Sequence, residues 1–96
     1  MHILITYDVN TMSQSGQKRL RQVAKACKDY GQRVQNSVFE CELTESQFAL
    51  LKNRLSCIMD MKLDSIRFYH LGKNPKLYTI TIGKKTSYEV EGVLLI

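Results

Sequence analysis

The chain has 96 residues, of which 44% are apolar and 24% charged, and it contains one proline. This composition indicates a single folded domain over residues 1–96 and excludes a disordered or collagen-like chain. Apolar runs are far shorter than the roughly 20 residues that cross a bilayer, and the N-terminus lacks signal-peptide features, so we expect a cytoplasmic protein with no membrane partner.

The net charge of +5 is concentrated in one segment of the chain. Residues 13–34 carry six Lys or Arg against one Asp, whereas residues 35–96 carry eight against seven. A concentrated positive field suits a polyanion, most simply the phosphates of a nucleic acid. The ordinary alternative is a solvated helix face.

The first half of the chain predicts a strand, a helix and a further extended segment. Residues 2–9 alternate with largely apolar side chains, which is typical of a strand inside a sheet, and this strand ends on one acid, Asp8. Between residues 15 and 30 the apolar positions recur at helical spacing, and Gly31 supplies a stop. The β-branched segment 33–43, RVQNSVFECEL, predicts one bent strand or two short strands, with a bulge or break at QNS.

The second half predicts a helix, a strand and one extra strand. Thr44 and Gln47 have the pattern of a capping box that opens the helix. Residues 64–71 alternate as a strand, and residues 76–83 follow as the extra one. The order predicts an α+β, ferredoxin-like βαββαβ sandwich with an extra C-terminal strand. Since one sheet does not obviously bury both that strand and the apolar tail, we expect part of 77–96 to contact another chain.

Three segments form a more specific pattern when they are taken together. They are YD at the end of the first strand, the arginine-rich KRLRQVAKAC at 18–27, and RVQNSVFEC at 33–41. In this combination and at this separation they closely resemble the Cas-two family, the small CRISPR-associated protein of the adaptation module. The resemblance extends over essentially the whole chain, including its length and order of elements, and RVQNSVFEC is its most specific part.

The resemblance implies a function as well as a fold. Members of the family are ferredoxin-like homodimers that have been described as metal-dependent endonucleases acting on RNA or on double-stranded DNA. The family also supplies the central subunit of the complex that inserts new spacers into a CRISPR array in antiviral defence, with a CRISPR integrase subunit as its partner. Nuclease activity need not be used in that complex.

The resemblance also implies the site residues. Asp8 is expected to be the catalytic carboxylate and a ligand of Mg²⁺ or Mn²⁺. In a two-fold dimer two copies of Asp8 can face each other and share one cation, which would explain why the strand ends on a single acid. A strand-end acid that caps the next turn is the ordinary alternative. Near the site we expect Tyr7, Asn10, Ser37 and Phe39, with Asn10 also interpretable as a turn former and Phe39 as packing.

A set of basic side chains is expected to bind nucleic acid, because the fork of an arginine grips phosphate oxygens and lysine adds attraction that is independent of base sequence. The set is Lys18, Arg19, Arg21, Lys25, Lys28 and Arg33. On a helix, positions 18, 21, 25 and 28 form one stripe, whereas Arg19 lies about 100° from Lys18. We therefore expect the stripe to make the backbone contacts.

Two functions from different classes stay open at this point. One is a Mg-dependent endonuclease, either an endoribonuclease or an endodeoxyribonuclease; the other is a non-catalytic scaffold that holds duplex DNA for the integrase subunit. A regulatory or RNA-recognition module with the same fold lacks support, since the strands have no RNP pattern. His2 and His70 have no metal-ligand spacing and are expected to be structural, with His70 as a general base left open.

Overall fold

The computed structural model describes residues 1–72 and 78–84. Its elements follow the predicted βαββαβ order with an extra C-terminal strand, and residues 36–37 form a turn between the two short strands in the middle. The elements are β1 His2–Asp8, α1 Gln14–Tyr30, β2 Gly31–Gln35, β3 Val38–Glu42, α2 Glu45–Ile58, β4 Ser65–His70 and β5 Tyr78–Gly83.

The five strands form one antiparallel sheet in the order β2-β3-β1-β4-β5. The first four strands in this order, with two helical crossovers, have the ferredoxin-like arrangement, so the predicted fold is confirmed. The register shifts between Arg33 and Gln35, where β2 pairs with β3, which places a bulge next to the predicted break. Of the two alternatives for residues 33–43, two short strands are therefore present.

The extra strand pairs within its own chain. Strand β5 lies antiparallel to β4, with Ser65 opposite Gly83 and His70 opposite Tyr78. The turn GKNPK and the tail lie largely or wholly outside the described residues, so the expected contact of 77–96 with another chain stays a prediction. No helix in the described part of the chain is long and apolar enough to cross a membrane.

Both helices pack on one face of the sheet. Ile3, Ile5 and Tyr7 of β1 share a buried cluster with Val23 of α1 and Leu51 of α2. Because successive side chains of a strand point to opposite faces, His2, Leu4, Thr6 and Asp8 lie on the other face, which no described helix covers. Residues 1–72 and 78–84 therefore form a two-layer sandwich in which both helices lie on the same face of the sheet.

The caps of both helices come from short polar side chains. Ser13 Oγ accepts from Gly16 N–H at 3.1 Å, so α1 begins at Gln14, one residue before the predicted start. At α2 the capping box is complete: Gln47 N–H donates to Thr44 Oγ1 at 3.1 Å, and Thr44 N–H donates to Gln47 Oε1 at 2.9 Å. The predicted start of α2 is confirmed.

Gly31, which ends α1, is explained by its packing against β3, and the sequence alone does not show this contact. Its φ of −159° is extended backbone that any residue adopts, so the position does not require glycine for its conformation. A Cβ at this position would instead overlap the Cys41 sulfur and the Glu40 carbonyl oxygen on β3. Gly31 therefore allows β2 to begin directly after the helix in close contact with β3.

This close approach predicts the effect of adding one methyl group. Gly31→Ala is expected to lower the free energy of unfolding by about 1–3 kcal/mol, the usual cost of overpacking. Gln32→Ala, a change at the next and exposed residue, serves as the control and is expected to stay within about 0.5 kcal/mol of wild type. Urea unfolding measures both values, and equal stability of the two variants would contradict the packing argument.

Candidate active site and nucleic-acid interface

Asp8 lies at the end of β1 on the sheet face that the helices leave uncovered. Its side chain is exposed, and its strand partner on β4 is Ser65. A shallow cleft of about 160 Å³ is lined by Asp8, Asn10, Leu63, Ser65 and Lys84. The cleft offers one carboxylate, two neutral oxygen-bearing side chains and one ammonium group, so it is accessible to an ion or a phosphate.

Asn10 shapes the turn that follows Asp8. Its Oδ1 accepts from the backbone N–H of Met12 at 3.0 Å, the pattern of an Asx-turn. Its own backbone N–H donates to Asp64 Oδ1 at 3.0 Å. The interpretation of Asn10 as a turn former is therefore confirmed, while a role as a metal ligand through water stays a prediction.

The buried acid beside the cleft is Asp64, which is absent from the predicted site residues. Its side chain is 0% exposed. Arg19 Nε donates to Oδ2 at 2.8 Å, and the backbone N–H of Asp60 donates to the same oxygen at 2.9 Å. A buried carboxylate with a guanidinium partner and backbone donors is fully satisfied, which is what makes its burial tolerable.

The pKa of Asp64 is lowered from its ordinary value, although opposing effects act on it. Desolvation is the largest effect and raises the pKa, because burial disfavours the charged form. Hydrogen bonds from Arg19 and from the backbone N–H groups of Asp60 and Asn10 favour the carboxylate and together outweigh it. Asp64 is therefore ionised in the folded protein at neutral pH.

Arg19 is held by Asp64 instead of projecting from α1 with the other basic residues. Only 14% of its side chain is exposed, and its Nη2 lies 3.4 Å from Asp64 Oδ1. The pKa of Arg19 is raised, chiefly by its hydrogen bond to Asp64. The structure thus gives this guanidinium an intramolecular partner, and nucleic-acid binding by Arg19 stays a prediction that its position does not favour.

The remaining basic residues of α1 form the exposed stripe that the helical spacing predicts. All are exposed, and none has an ion pair with any residue that the structure describes; they are Lys18, Arg21, Lys25 and Lys28. We call these four residues the basic stripe. Their charges are available to a polyanion that approaches α1 from solvent.

Arg33, Tyr7 and Phe39 form a separate group on the helix-covered face of the sheet. The Arg33 guanidinium carbon lies 5.2 Å from the centroid of the Phe39 ring, and the Tyr7 ring lies 6.1 Å from that ring in a stacked arrangement. Phe39 is 0% exposed, so the interpretation of Phe39 as packing is confirmed. Burial raises the pKa of Tyr7, and Arg33 partly opposes this shift.

The predicted near-site residues are thus divided between two faces of the sheet. Tyr7 and Asp8 are consecutive and point to opposite faces, so the Tyr7 hydroxyl donates to the Asn36 carbonyl at 3.2 Å and does not face the Asp8 cleft. Ser37 contributes its carbonyl oxygen, which accepts from Tyr7 N–H at 3.1 Å. Within one chain, the cleft contains only Asp8 and Asn10 of the predicted residues.

A second groove lies between α1 and β2. It has a volume of about 300 Å³ and is lined by Ala24, Lys28, Gly31, Gln32 and Arg33. Two cations, Lys28 of the basic stripe and Arg33, therefore lie at one concave surface. This arrangement extends the positive surface of α1 onto the edge strand of the sheet.

The histidines lie away from Asp8. His70 lies opposite Ile3 of β1, and Ile3 is five positions, or about 17 Å along the strand, from Asp8. His70 packs edge-on against the Phe48 ring at 5.2 Å, and desolvation lowers its pKa. His70 therefore does not reach the Asp8 cleft of its own chain as a general base.

The described residues hold no cluster of three or more His, Cys, Asp or Glu side chains that could bind a metal. His2 Nε2 lies 2.7 Å from Glu40 Oε1, at the end of β1 opposite to Asp8. Glu40 and Glu42 are exposed.

Comparison with known proteins decides the family. The family model for CRISPR associated protein Cas2 matches residues 1–77. This chain belongs to the Cas2 family. The resemblance that the sequence motifs indicate is therefore confirmed.

Cas2 proteins of other organisms match nearly the whole chain. It is 52% identical over 94 residues to the CRISPR-associated endoribonuclease Cas2 3 of Rhodospirillum rubrum, covering 98% of this chain and 99% of that protein. It is 53% identical over 95 residues to the CRISPR-associated endonuclease Cas2 of Halalkalibacterium halodurans, covering 99% of each chain.

Solved Cas2 structures have the same fold. The crystal structure of Streptococcus pyogenes Cas2 at pH 6.5 is 65% identical, has a TM-score of 0.71, and covers 77% of this chain and 89% of that one. A further crystal structure of Cas2 is 34% identical with a TM-score of 0.65, and the match covers 98% of each chain. The sequence comparison and the structure comparison thus both support membership of the Cas2 family.

One sequence signal could have identified Asp64. In the predicted ferredoxin-like fold β4 lies antiparallel to β1, so the residue that precedes β4 lies next to the end of β1. Asp64 is therefore the acid expected beside Asp8. What the sequence does not show is that Asp64 is buried against Arg19, 45 positions away along the chain.

The bonds of Asp64 predict a pH-dependent loss of stability. Asp64→Ala is expected to lower the free energy of unfolding by about 3–5 kcal/mol at pH 7, since it leaves Arg19 and two backbone N–H groups without their acceptor. Because the folded pKa of Asp64 lies below the ordinary 3.8, its stabilisation is complete above pH 3.8 and is lost as the pH falls through the folded pKa.

Urea unfolding of wild type and Asp64→Ala at pH 7 and near pH 2.5 measures this dependence. The difference between the two proteins is expected to shrink at the lower pH, because the stabilisation decreases as the pH falls from 3.8 towards the folded pKa. A matched variant, Asp29→Ala, removes an exposed acid paired with Arg54 and is expected to cost less than about 1 kcal/mol at either pH. If the loss of unfolding free energy in Asp64→Ala is the same at both pH values, the stabilising role of the ionised Asp64 carboxylate is contradicted.

Proposed function

We propose that this Cas2 chain is a metal-dependent endonuclease that cleaves phosphodiester bonds in RNA or DNA and acts as a homodimer. The observation that carries the proposal is Asp8, an exposed carboxylate at the end of a central strand, on the sheet face opposite α1 and α2. The family supports the activity, because its members are named endoribonuclease or endonuclease Cas2.

Dimerisation accounts for the single acid. When two identical sheets pair through their uncovered faces about a two-fold axis, every group near that axis occurs twice. Asp8 of one copy and Asp8 of the second copy would then face one cleft. Without such pairing, one chain presents a lone carboxylate, with Lys84 as the other charged residue lining the cleft in the described part of the chain.

The residues of the cleft fit a hard divalent cation such as Mg²⁺ or Mn²⁺. Magnesium keeps several waters and commonly needs only one or two carboxylates, and neutral oxygens such as those of Ser65 and Asn10 can hold its waters. When bound, such an ion neutralises phosphate charge and lowers the pKa of a bound water. The protein's own part is to hold the Asp8 carboxylate in place and to admit the phosphodiester.

The basic stripe would bind the sugar-phosphate backbone on the helical side of the molecule. Strand β1 ends where α1 begins, so Lys18 lies towards the Asp8 end of the molecule and Lys28 lies about 15 Å further along the helix. Contacts of this kind depend on charge and not on base identity, so we expect weak sequence preference and strong salt dependence.

A non-catalytic role is the second candidate, and the direction of α1 favours it. The basic stripe runs away from Asp8 along the outer side of the helical layer, while the Asp8 carboxylate is on the opposite face of the sheet. A duplex held along α1 would therefore extend beyond the Asp8 cleft. In this role the dimer would hold DNA in the cytoplasm for a CRISPR integrase subunit during spacer acquisition.

Replacement of the acid separates the two roles. Asp8→Asn keeps the shape of the side chain but removes its charge, and cleavage of labelled single-stranded RNA and duplex DNA with magnesium is expected to fall by roughly 100-fold or more, since loss of an outer-shell partner alone costs 10–100-fold. Binding of the same nucleic acids in a chelator is expected to stay within about twofold. Cleavage that survives both chelation and the substitution would contradict the nuclease proposal.

Neutralising the basic stripe tests the binding surface. Lys25→Gln is expected to weaken binding of DNA and RNA of any sequence and to reduce the slope of log K against log salt concentration by about one if Lys25 contacts phosphate. Lys52→Gln is the matched control, because it removes the same charge from α2, where Lys52 lies 4.8 Å from the Phe48 ring centroid. Binding is measured by salt titration. Equal effects of the stripe variant and of Lys52→Gln would contradict the proposal that the basic stripe binds nucleic acid.

A further inference from the structure

The Asp64 carboxylate connects the two loops that flank Asp8. Its Oδ1 accepts from Asn10 N–H at 3.0 Å, in the loop between β1 and α1. Its Oδ2 accepts from Asp60 N–H at 2.9 Å, in the loop between α2 and β4. Both loops lie at the Asp8 end of the sheet, so one buried side chain sets their separation.

The same residue is adjacent to Asp8 across the strand pair. Asp64 immediately precedes Ser65, the partner of Asp8 on β4, and Asn10 follows Asp8 by two residues. The Asp64 carbonyl oxygen also accepts from Lys84 N–H at 2.7 Å, at the end of β5. The loop that follows Asp8, the loop that precedes β4 and the end of β5 are therefore all hydrogen-bonded to Asp64.

Arg19 completes this arrangement from α1. Its Nε donates to Asp64 Oδ2 at 2.8 Å, and its Nη2 lies 3.5 Å from the Asn10 carbonyl oxygen. The guanidinium thus contacts both the buried acid and the turn that follows Asp8. The position of α1, which carries the basic stripe, is in this way fixed relative to the end of β1.

We propose that Asp64, paired with Arg19, is a positioning residue that holds the Asp8 carboxylate at a fixed place relative to the basic stripe. The inference rests on the proposed nuclease function for its catalytic consequence. In it, Arg19 acts through Asp64 and not as a phosphate contact. A displacement of about 1 Å in a reacting group can cost roughly 100-fold in rate, so such a residue would act on kcat without touching the substrate.

The near-isosteric change Asp64→Asn tests the proposal. An asparagine presents an NH₂ group where the carboxylate has an oxygen, so at least one of its donors, Arg19, Asn10 or Asp60, loses its acceptor. We expect kcat to fall by about 10–100-fold, while KM and the Kd for nucleic acid in a chelator stay within about threefold, because the basic stripe is unchanged.

A matched variant separates positioning from a general loss of stability. Leu51→Ala removes a buried apolar side chain from the middle of α2 and is expected to lower stability by about 2–5 kcal/mol. Below its melting temperature this variant is expected to keep wild-type kcat. Equal losses of kcat in Asp64→Asn and Leu51→Ala, or a weaker Kd with unchanged kcat in Asp64→Asn, would overturn the positioning role.

Amide hydrogen exchange gives a readout that does not depend on cleavage. The Asn10 amide is expected to exchange at least tenfold faster in Asp64→Asn than in wild type, while the Ile5 amide in the middle of β1 keeps its protection. If wild type and Asp8→Asn cleave equally, the nuclease proposal fails, and exchange at Asn10 still decides the structural claim. Unchanged exchange at Asn10 in Asp64→Asn would overturn it.

Discussion

The buried ion pair between Asp64 and Arg19 is the constraint on which the Asp8 end of the molecule depends. A carboxylate that is 0% exposed is stable only when its oxygens are bonded, and here the donors come from α1 and from two different loops. Removing any of them leaves charge or polarity buried without a partner. The ion pair thus connects α1 to the loops at the Asp8 end of the sheet. It does so through charge and hydrogen bonds and not through apolar packing.

The ferredoxin-like sheet explains why this constraint bears on function. Its antiparallel order places the end of β1 beside the start of β4, so Asp8, Ser65 and the buried Asp64 meet at one edge. Alternation along β1 then directs Asp8 to the uncovered face and Tyr7 to the core. Each chain therefore has one exposed acid, Asp8, next to one buried acid, Asp64, and a two-fold dimer would contain this arrangement twice.

Much of the fold could be predicted because local signals agree with it. Alternation defines β1 and β4, helical spacing defines α1, and the complete capping box at Thr44 defines the start of α2. The reason for Gly31 could not be predicted, since it depends on the approach of Cys41 from β3. Arg19 illustrates both outcomes: helical geometry separates it from the basic stripe, but only the tertiary structure shows that it is bound to Asp64.

The most direct test of the shared-cation cleft is the cleavage rate of mixed dimers made by refolding wild-type and Asp8→Asn chains together at equal concentration. If each cleft requires both copies of Asp8, only wild-type pairs cleave, and the rate falls to about one quarter of that of wild type at the same total concentration. A rate of about one half would show that each Asp8 acts alone, and it would contradict the account.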